Sequence, residues 1–402
     1  MQSSLTEYIA PGSGERSGIF CWMKDSDQPG DRGSGRLLRG LALAGAALAV
    51  PAVAHALIQR RLRAPEAPGW GRTHRYSGHH GPVVFQELGA GPPVVLLHAF
   101  GPGFDGCQWR AAAEALAPRF RVLAPDLPGW GRSAPLEPRP RAYLACLADF
   151  LAGVVWGRAA LVAAGHAAPY AIHLAEERSA LVRGLALVAP LGLPTGSGDR
   201  AEHPAGAAAA APETAAAVTA ATGAAAAAEP ETPAATELEV PAAATPPADL
   251  DSADGAGPAV HPLVGQLMAV PLLRVSVLDA LTSRPVLGSY LRNHAYAAGD
   301  RVDAALLEHH YRVSHLPAHR QALAAYWRGD LDVPAGAALR DLQVPLWIGL
   351  GGEDRENWPS PDFLPAGTQV EAFEGTRALP HAEKPVTFGK ALARFLDQLP
   401  PA

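Results

Sequence analysis

The stretch "LVAAGHAAPYAIHLAEERSALVRGLALVAP", residues 161–190, runs from an apolar strand through a tight turn of small residues into a helix and on to a second strand. Covalent catalysis on such a unit puts a serine, cysteine or aspartate at the tip of the turn, where the sharp backbone lifts the attacking atom clear of the sheet. Here the tip is Gly165, followed by His166, and no such residue lies between Leu161 and Glu176. Sliding the turn by one or two positions offers only Ala164, His166 or Ala167, and no G-x-S-x-G occurs elsewhere in the chain. Ser133, in "GWGRS", sits at a turn and reads as structural. The "HHY" at 309–311 reads as one face of a helix, no H-E-x-x-H spacing occurs, and Cys21, Cys107 and Cys146 lack any CxxC pairing. The thiols therefore read as buried or idle, and neither a metal nor a cofactor is expected.

The elements that would carry these residues alternate. "PVVFQELG", "PPVVLLHAF", "FRVLAPDLPGWG", "AALVAAG", "VRGLALVAP", "VPLWIGLG" and "TQVEAF" read as strands. "WRAAAEALAPR", Tyr143–Val155, "APYAIHLAEER" and "KPVTFGKALARFLDQL" read as helices. Strands alternating with helices predict an α/β fold, a mostly parallel central sheet with helices on both faces. The core spans 73–190 and 342–398, interrupted after its sixth strand by an insertion over 191–341. Within that insertion 201–258 is Ala-, Pro- and acid-rich low-complexity sequence, expected to be a solvated linker. Amphipathic helices over 262–332 are suited to a lid.

With 402 residues and 48% hydrophobic content the chain can bury one substantial core. Its net charge is −6, but 201–258 alone holds nine Asp and Glu with no Lys or Arg, leaving the remainder at +3. Neither balance suggests nucleic acid. Residues 1–35 form a polar tail. Over 36–63, a nearly uncharged run from Gly40 to Ile58 lies between Arg36 and Arg39 on one side and Arg60, Arg61 and Arg63 on the other. It approaches the ~20 residues needed to cross a bilayer. A single-pass amino-terminal membrane anchor is the expectation, ahead of a secretory signal ending in "AVAHA" or a buried soluble helix. The denser arginines of "QRRLR" lean the globular part towards the cytoplasm.

"PPVVLLHAFGPGFDGCQWRAAAEALAPRFRVLAPDLPGWGRSAP" resembles the amino-terminal half of an α/β-hydrolase, with "HAFG" as its HG-type loop. "LWIGLGGEDRENW" resembles that family's acid-bearing turn, and "FEGTRALPHAEKP" its histidine-bearing loop. The resemblance implies a Ser-His-Asp triad at the strand ends. Residue by residue, the nucleophile position is Gly165 and the base position, in the register of Pro380, His381 and Glu383, is Ala378. The acid survives as Asp354. The oxyanion hole would use the backbone N–H groups of Phe100 and His166.

Two functions are open on this reading. The first is a membrane-anchored, non-hydrolytic member of the family that binds an apolar small molecule, a lipid or a protein partner. The alternative is an esterase-, lipase- or lyase-type enzyme whose nonstandard site uses Asp354 with His381, as a displaced base, or with His166.

Overall fold

The computed structural model of the chain describes residues 53–62, 68–155, 157–195 and 262–402. The apolar runs become the central strands because both faces of each are covered. Strands β1 (Arg72–Gly78), β2 (Gly81–Leu88), β3 (Pro93–Leu97), β4 (Arg121–Pro125), β5 (Ala159–Ala164), β6 (Val182–Val188), β7 (Leu346–Gly351) and β8 (Gln369–Phe373) form one sheet. Their order is β1-β2-β4-β3-β5-β6-β7-β8. β2 runs antiparallel to β1 and β4, and the remaining neighbours are parallel. Strand β1 has a polar sequence with only alternate residues half-buried, as an edge strand allows, so it lacks the apolar signature that marks the others.

Helices follow in chain order: α1 (53–61), α2 (Arg110–Leu116), α3 (Pro140–Val154), α4 (Ala167–Glu177), α5 (Pro262–Ala269), α6 (Pro271–Leu281), α7 (Arg284–Tyr290), α8 (Ala304–Ser314), α9 (Pro317–Arg328), α10 (Gly336–Arg340), α11 (Pro380–Glu383) and α12 (Pro385–Asp397). Side-chain alternation sorts them into layers. Val95, Leu97, Leu161, Leu185 and Ile348 point towards Tyr143, Leu147 and Phe150 of α3 and Ala168 and Ile172 of α4. Val94, Leu96, Val162 and Ala186 point to the opposite core, with Ala112 and Leu116 of α2 and Phe388, Leu392 and Phe395 of α12.

Between β6 and β7 the described part of the insertion is helical, α5 to α10. The two long amphipathic runs expected there are each divided by a proline at a helix start, Pro271 and Pro317. Without an N–H and with φ held near −65°, proline suits the first turn of a new helix rather than the middle of an old one. A fifth segment that sequence periodicity does not announce, α7, runs into a single π turn, Leu291–Ala295.

Most of the expected anchor, 36–52, lies outside the described residues, as do the low-complexity tract 201–258 and the polar tail 1–35. Among the described residues no helix is long and apolar enough to cross a membrane. The end of the anchor run is present as α1, where His55 pairs with Asp279 of α6 through Nδ1 and Oδ2, 2.9 Å apart.

Candidate active site

The turn between β5 and α4 has the backbone that a nucleophile elbow requires. Gly165 has φ +52°, in the left-handed region, and its N–H donates to the Val188 carbonyl at 3.0 Å while its own carbonyl accepts from Ala168 and Leu191. The buried Ala164, Ala167 and Ala168 let the chain reverse without crowding. A Cβ placed on Gly165 would lie 3.2 Å from the Ala99 Cβ and 3.9 Å from Leu191, so the tip faces an apolar wall that admits a small side chain with a few tenths of an ångström of adjustment.

Beside it runs the loop from His98 to Gly103. The His98 Nδ1–H donates to the Ala99 carbonyl at 2.8 Å, and its Nε2 accepts the Leu127 N–H at 2.9 Å. Burial lowers its pKa to about 4, so the neutral ring ties this loop to the end of β4. Phe100 is held by an aromatic cluster, 5.1 Å from Trp130, 5.6 Å from Tyr143 and 5.4 Å from Tyr170 between ring centres. Ser133 confirms its structural reading: its hydroxyl donates to the Asp126 carbonyl at 2.6 Å and accepts the Val84 N–H at 2.8 Å.

Helices α8 and α9 of the insertion lie on this loop. Gly103 has φ +75°, and a Cβ there would come within 2.4 Å of the His310 Cα, so backbone packs directly on backbone. The His310 Nδ1–H donates to the Pro102 carbonyl at 2.9 Å, and the His319 Nε2 accepts the Gly103 N–H at 3.2 Å. His166, at the elbow, is buried edge-on to Tyr326 of α9 with ring centres 5.0 Å apart, and burial lowers its pKa to about 4.

The other triad positions do not converge on an imidazole. Asp354 follows β7, and its Oδ1 accepts from Asn357 Nδ2 at 2.7 Å; burial raises its pKa. Its charge adds to burial in lifting the Tyr290 phenol to about 12. Among the described residues no histidine hydrogen-bonds to Asp354. His381 is fully buried, stacked on Trp109 at 4.0 Å, with neither ring nitrogen partnered and its pKa lowered by burial to about 3. The pairing of Asp354 with a displaced His381 or with His166, one of the two arrangements the sequence left open, is thus not what the fold builds: the aromatic core draws His381 inward, and His166 turns to Tyr326. Ala378, the base position expected from sequence, is half-buried in its loop. That loop is shaped by Glu383, whose Oε1 accepts the Arg377 N–H at 2.7 Å and whose Oε2 accepts the Ala297 N–H at 2.9 Å. Glu383 thereby joins the loop that carries Ala378 to the insertion, a role hidden in sequence because Ala297 is so distant along the chain.

A second group was also missed. Asp105 caps the short helix Gly106–Trp109 by accepting the Cys107 N–H on Oδ1 at 2.9 Å, and the same oxygen lies 3.2 Å from His309 Nε2 on α8. The Asp105, Cys107 and His309 donor atoms lie within 4.8 Å of one another. Burial would raise the Asp105 pKa, but His309, Arg132 and the Cys107 N–H outweigh it and hold the carboxylate ionised. Burial, with Asp105 and Asp126, pushes the Cys107 thiol up. Burial opposes protonation of His309, and Asp105 overcomes it to raise that pKa. "HHY" is indeed on a helix, but its face is turned to the core.

A family model described as alpha/beta hydrolase fold matches residues 92–221. The chain is similar to the pimeloyl-acyl-carrier-protein methyl ester esterase of Vibrio campbellii, 44% identical over 63 residues that make up 16% of this chain and 24% of that protein. It is 40% identical over 115 residues to the enzyme of the same name from Chromobacterium violaceum, over 27% of this chain and 40% of that protein. To the 2-hydroxy-6-oxo-2,4-heptadienoate hydrolase of Pseudomonas putida it is 32% identical over 111 residues, again 27% and 40%. The chain thus spans between about a quarter and two fifths of the length of these relatives. Among solved structures, an epoxide hydrolase, CorEH, superposes with a TM-score of 0.58 at 16% identity, over 81% of this chain and 98% of that one. A membrane phospholipase A described as a bacterial virulence factor gives 0.55 at 18%, over 90% and 98%. Identities this low speak to the fold alone.

Proposed function

We propose, from the premise that this chain belongs to the α/β-hydrolase fold superfamily, that it is a non-hydrolytic member which binds an apolar small molecule or lipid beneath the helical insertion. The observation that carries this is Gly165: the elbow keeps its left-handed backbone and buried small neighbours, yet bears no attacking atom. Asp354 supports the reading, since a carboxylate with no imidazole to orient cannot complete a proton relay. The relatives act on an acyl-carrier-protein methyl ester and on a hydroxy-oxo-heptadienoate, by their names, and an acyl chain suits the apolar wall of Ala99 and Leu191 that faces Gly165. The oxyanion donors at Phe100 and His166 would then recognise a carbonyl or carboxylate without driving chemistry on it. An amino-terminal membrane anchor over 36–63, with the domain facing the cytoplasm, completes the proposal and would put the site close to its lipid supply.

The test uses the full chain purified in mild detergent. Mass spectrometry of an organic extract is expected to find one co-purifying acyl compound near one equivalent, and short-chain p-nitrophenyl esters should turn over no faster than in buffer. Turnover that is lost in Asp354→Asn would overturn the proposal.

A further inference from the structure

We propose that Asp105, Cys107 and His309 form a binding site for a soft divalent cation of the zinc type, which latches helix α8 of the insertion to the loop following β3. The site is independent of the elbow and of the binding function inferred above.

The donor set argues for the cation class. One thiolate, one imidazole and one carboxylate suit zinc or cobalt(II), whereas calcium and magnesium take oxygen ligands. In a tetrahedral zinc site, donor atoms bound at about 2.0–2.3 Å stand about 3.3–3.6 Å apart. The His309 Nε2 and Asp105 Oδ1 atoms, at 3.2 Å, are already at that separation, and all three donors fall within 4.8 Å. Closing the set from 4.8 Å to that separation takes about 1 Å of side-chain movement.

A second observation points the same way. Asp105 is 1% exposed, and its Oδ2 has no hydrogen-bond partner although it is buried. A buried ionised carboxylate with one oxygen left so is costly, and a cation bound to that carboxylate offsets its charge. Cys107 and His309 are only partly buried, which leaves an entry path. Charge also balances. The Asp105 carboxylate and the Cys107 thiolate together neutralise the incoming dication, with Arg132 lying beside the group, its Nη1 3.8 Å from Asp126 Oδ2. On binding, the Cys107 Sγ–H and the His309 Nε2–H pass to solvent, and a water can fill the fourth position as in three-ligand zinc sites.

Cobalt(II) added to the full chain is the probe, because thiolate ligation gives a near-ultraviolet charge-transfer band and tetrahedral geometry gives intense visible bands. The wild type should show both at one equivalent, and zinc should bleach them. Cys107→Ser should abolish the charge-transfer band, while Cys146→Ser and Cys21→Ser leave it. His309→Ala should weaken cobalt affinity at least tenfold and remove the protection that zinc gives Cys107 against a thiol reagent. Absence of bands in the wild type, or a charge-transfer band retained by Cys107→Ser, would overturn the site. Unchanged cobalt affinity in a folded His309→Ala would overturn the latch.

Discussion

Placing a serine at Gly165 and a histidine at Ala378 is the most demanding test of the proposed elbow. Gly165→Ser fills a position whose φ of +52° costs an L-residue about 1–2 kcal/mol, and its Cβ must share space with the Ala99 Cβ at 3.2 Å. Hence the single variant should fold with a melting temperature lowered by several degrees. It should react feebly with a fluorophosphonate, because a hydroxyl without a base is a poor nucleophile at neutral pH. Ala378→His adds the base on a loop that Glu383 already shapes, within a site where Asn357 holds only the Oδ1 of Asp354. Loss of a triad member costs on the order of 10⁴-fold, about 5.5 kcal/mol of barrier, and members act as a unit. The double variant should therefore label far faster than either single one, recovering a fraction of that factor but more than the product of the single effects. In-gel fluorescence at several times after probe addition measures the rates, and peptide mapping must place the adduct on residue 165. Labelling of the wild type at any residue, or a double variant no faster than Gly165→Ser, would refute the assignment of Gly165 and Ala378.

Three further outcomes follow from the same structure. His98, His166, His319 and His381 are neutral in the fold, with pKa values lowered by burial to about 3–4, against about 6.5 when unfolded. A lowered folded pKa gives stability that is complete above pH 6.5 and lost as pH falls towards 4, about 3 kcal/mol per histidine; urea titrations from pH 7 to pH 4 should show this decline, and His381→Leu should make it shallower by one proton. Gly103→Ala forces a methyl group against the His310 backbone, so it should cost about 1–3 kcal/mol and speed proteolysis within α8 and α9, measured by limited digestion. If 36–63 anchors the chain, the full protein should stay in the membrane pellet after an alkaline carbonate wash, whereas a truncated chain beginning at Arg72 should be released.

The sheet was legible because strands covered on both faces must be apolar throughout, and "VVLL", "AALVAA" and "GLALV" are. The tight turn between β5 and α4 was legible too, since its run of small residues around Gly165 is a local property of residues 161–168. What sequence alone did not determine is everything set by which element covers which. Strand β1 is polar because it sits at the edge, so no periodicity betrays it. His381, three residues past the expected base position, could be read as a packing residue or as a displaced base, and only the packing of Trp109 and Phe388 around it decided for the core. Asp105 and His309 are 204 positions apart, and Glu383 and Ala297 are 86 apart. Hydrophobic periodicity says which face of a helix is buried but not what lies beneath that face. The polar contacts that close the insertion over the sheet depend on side-chain register between distant segments, and that register exists only once the helices have docked.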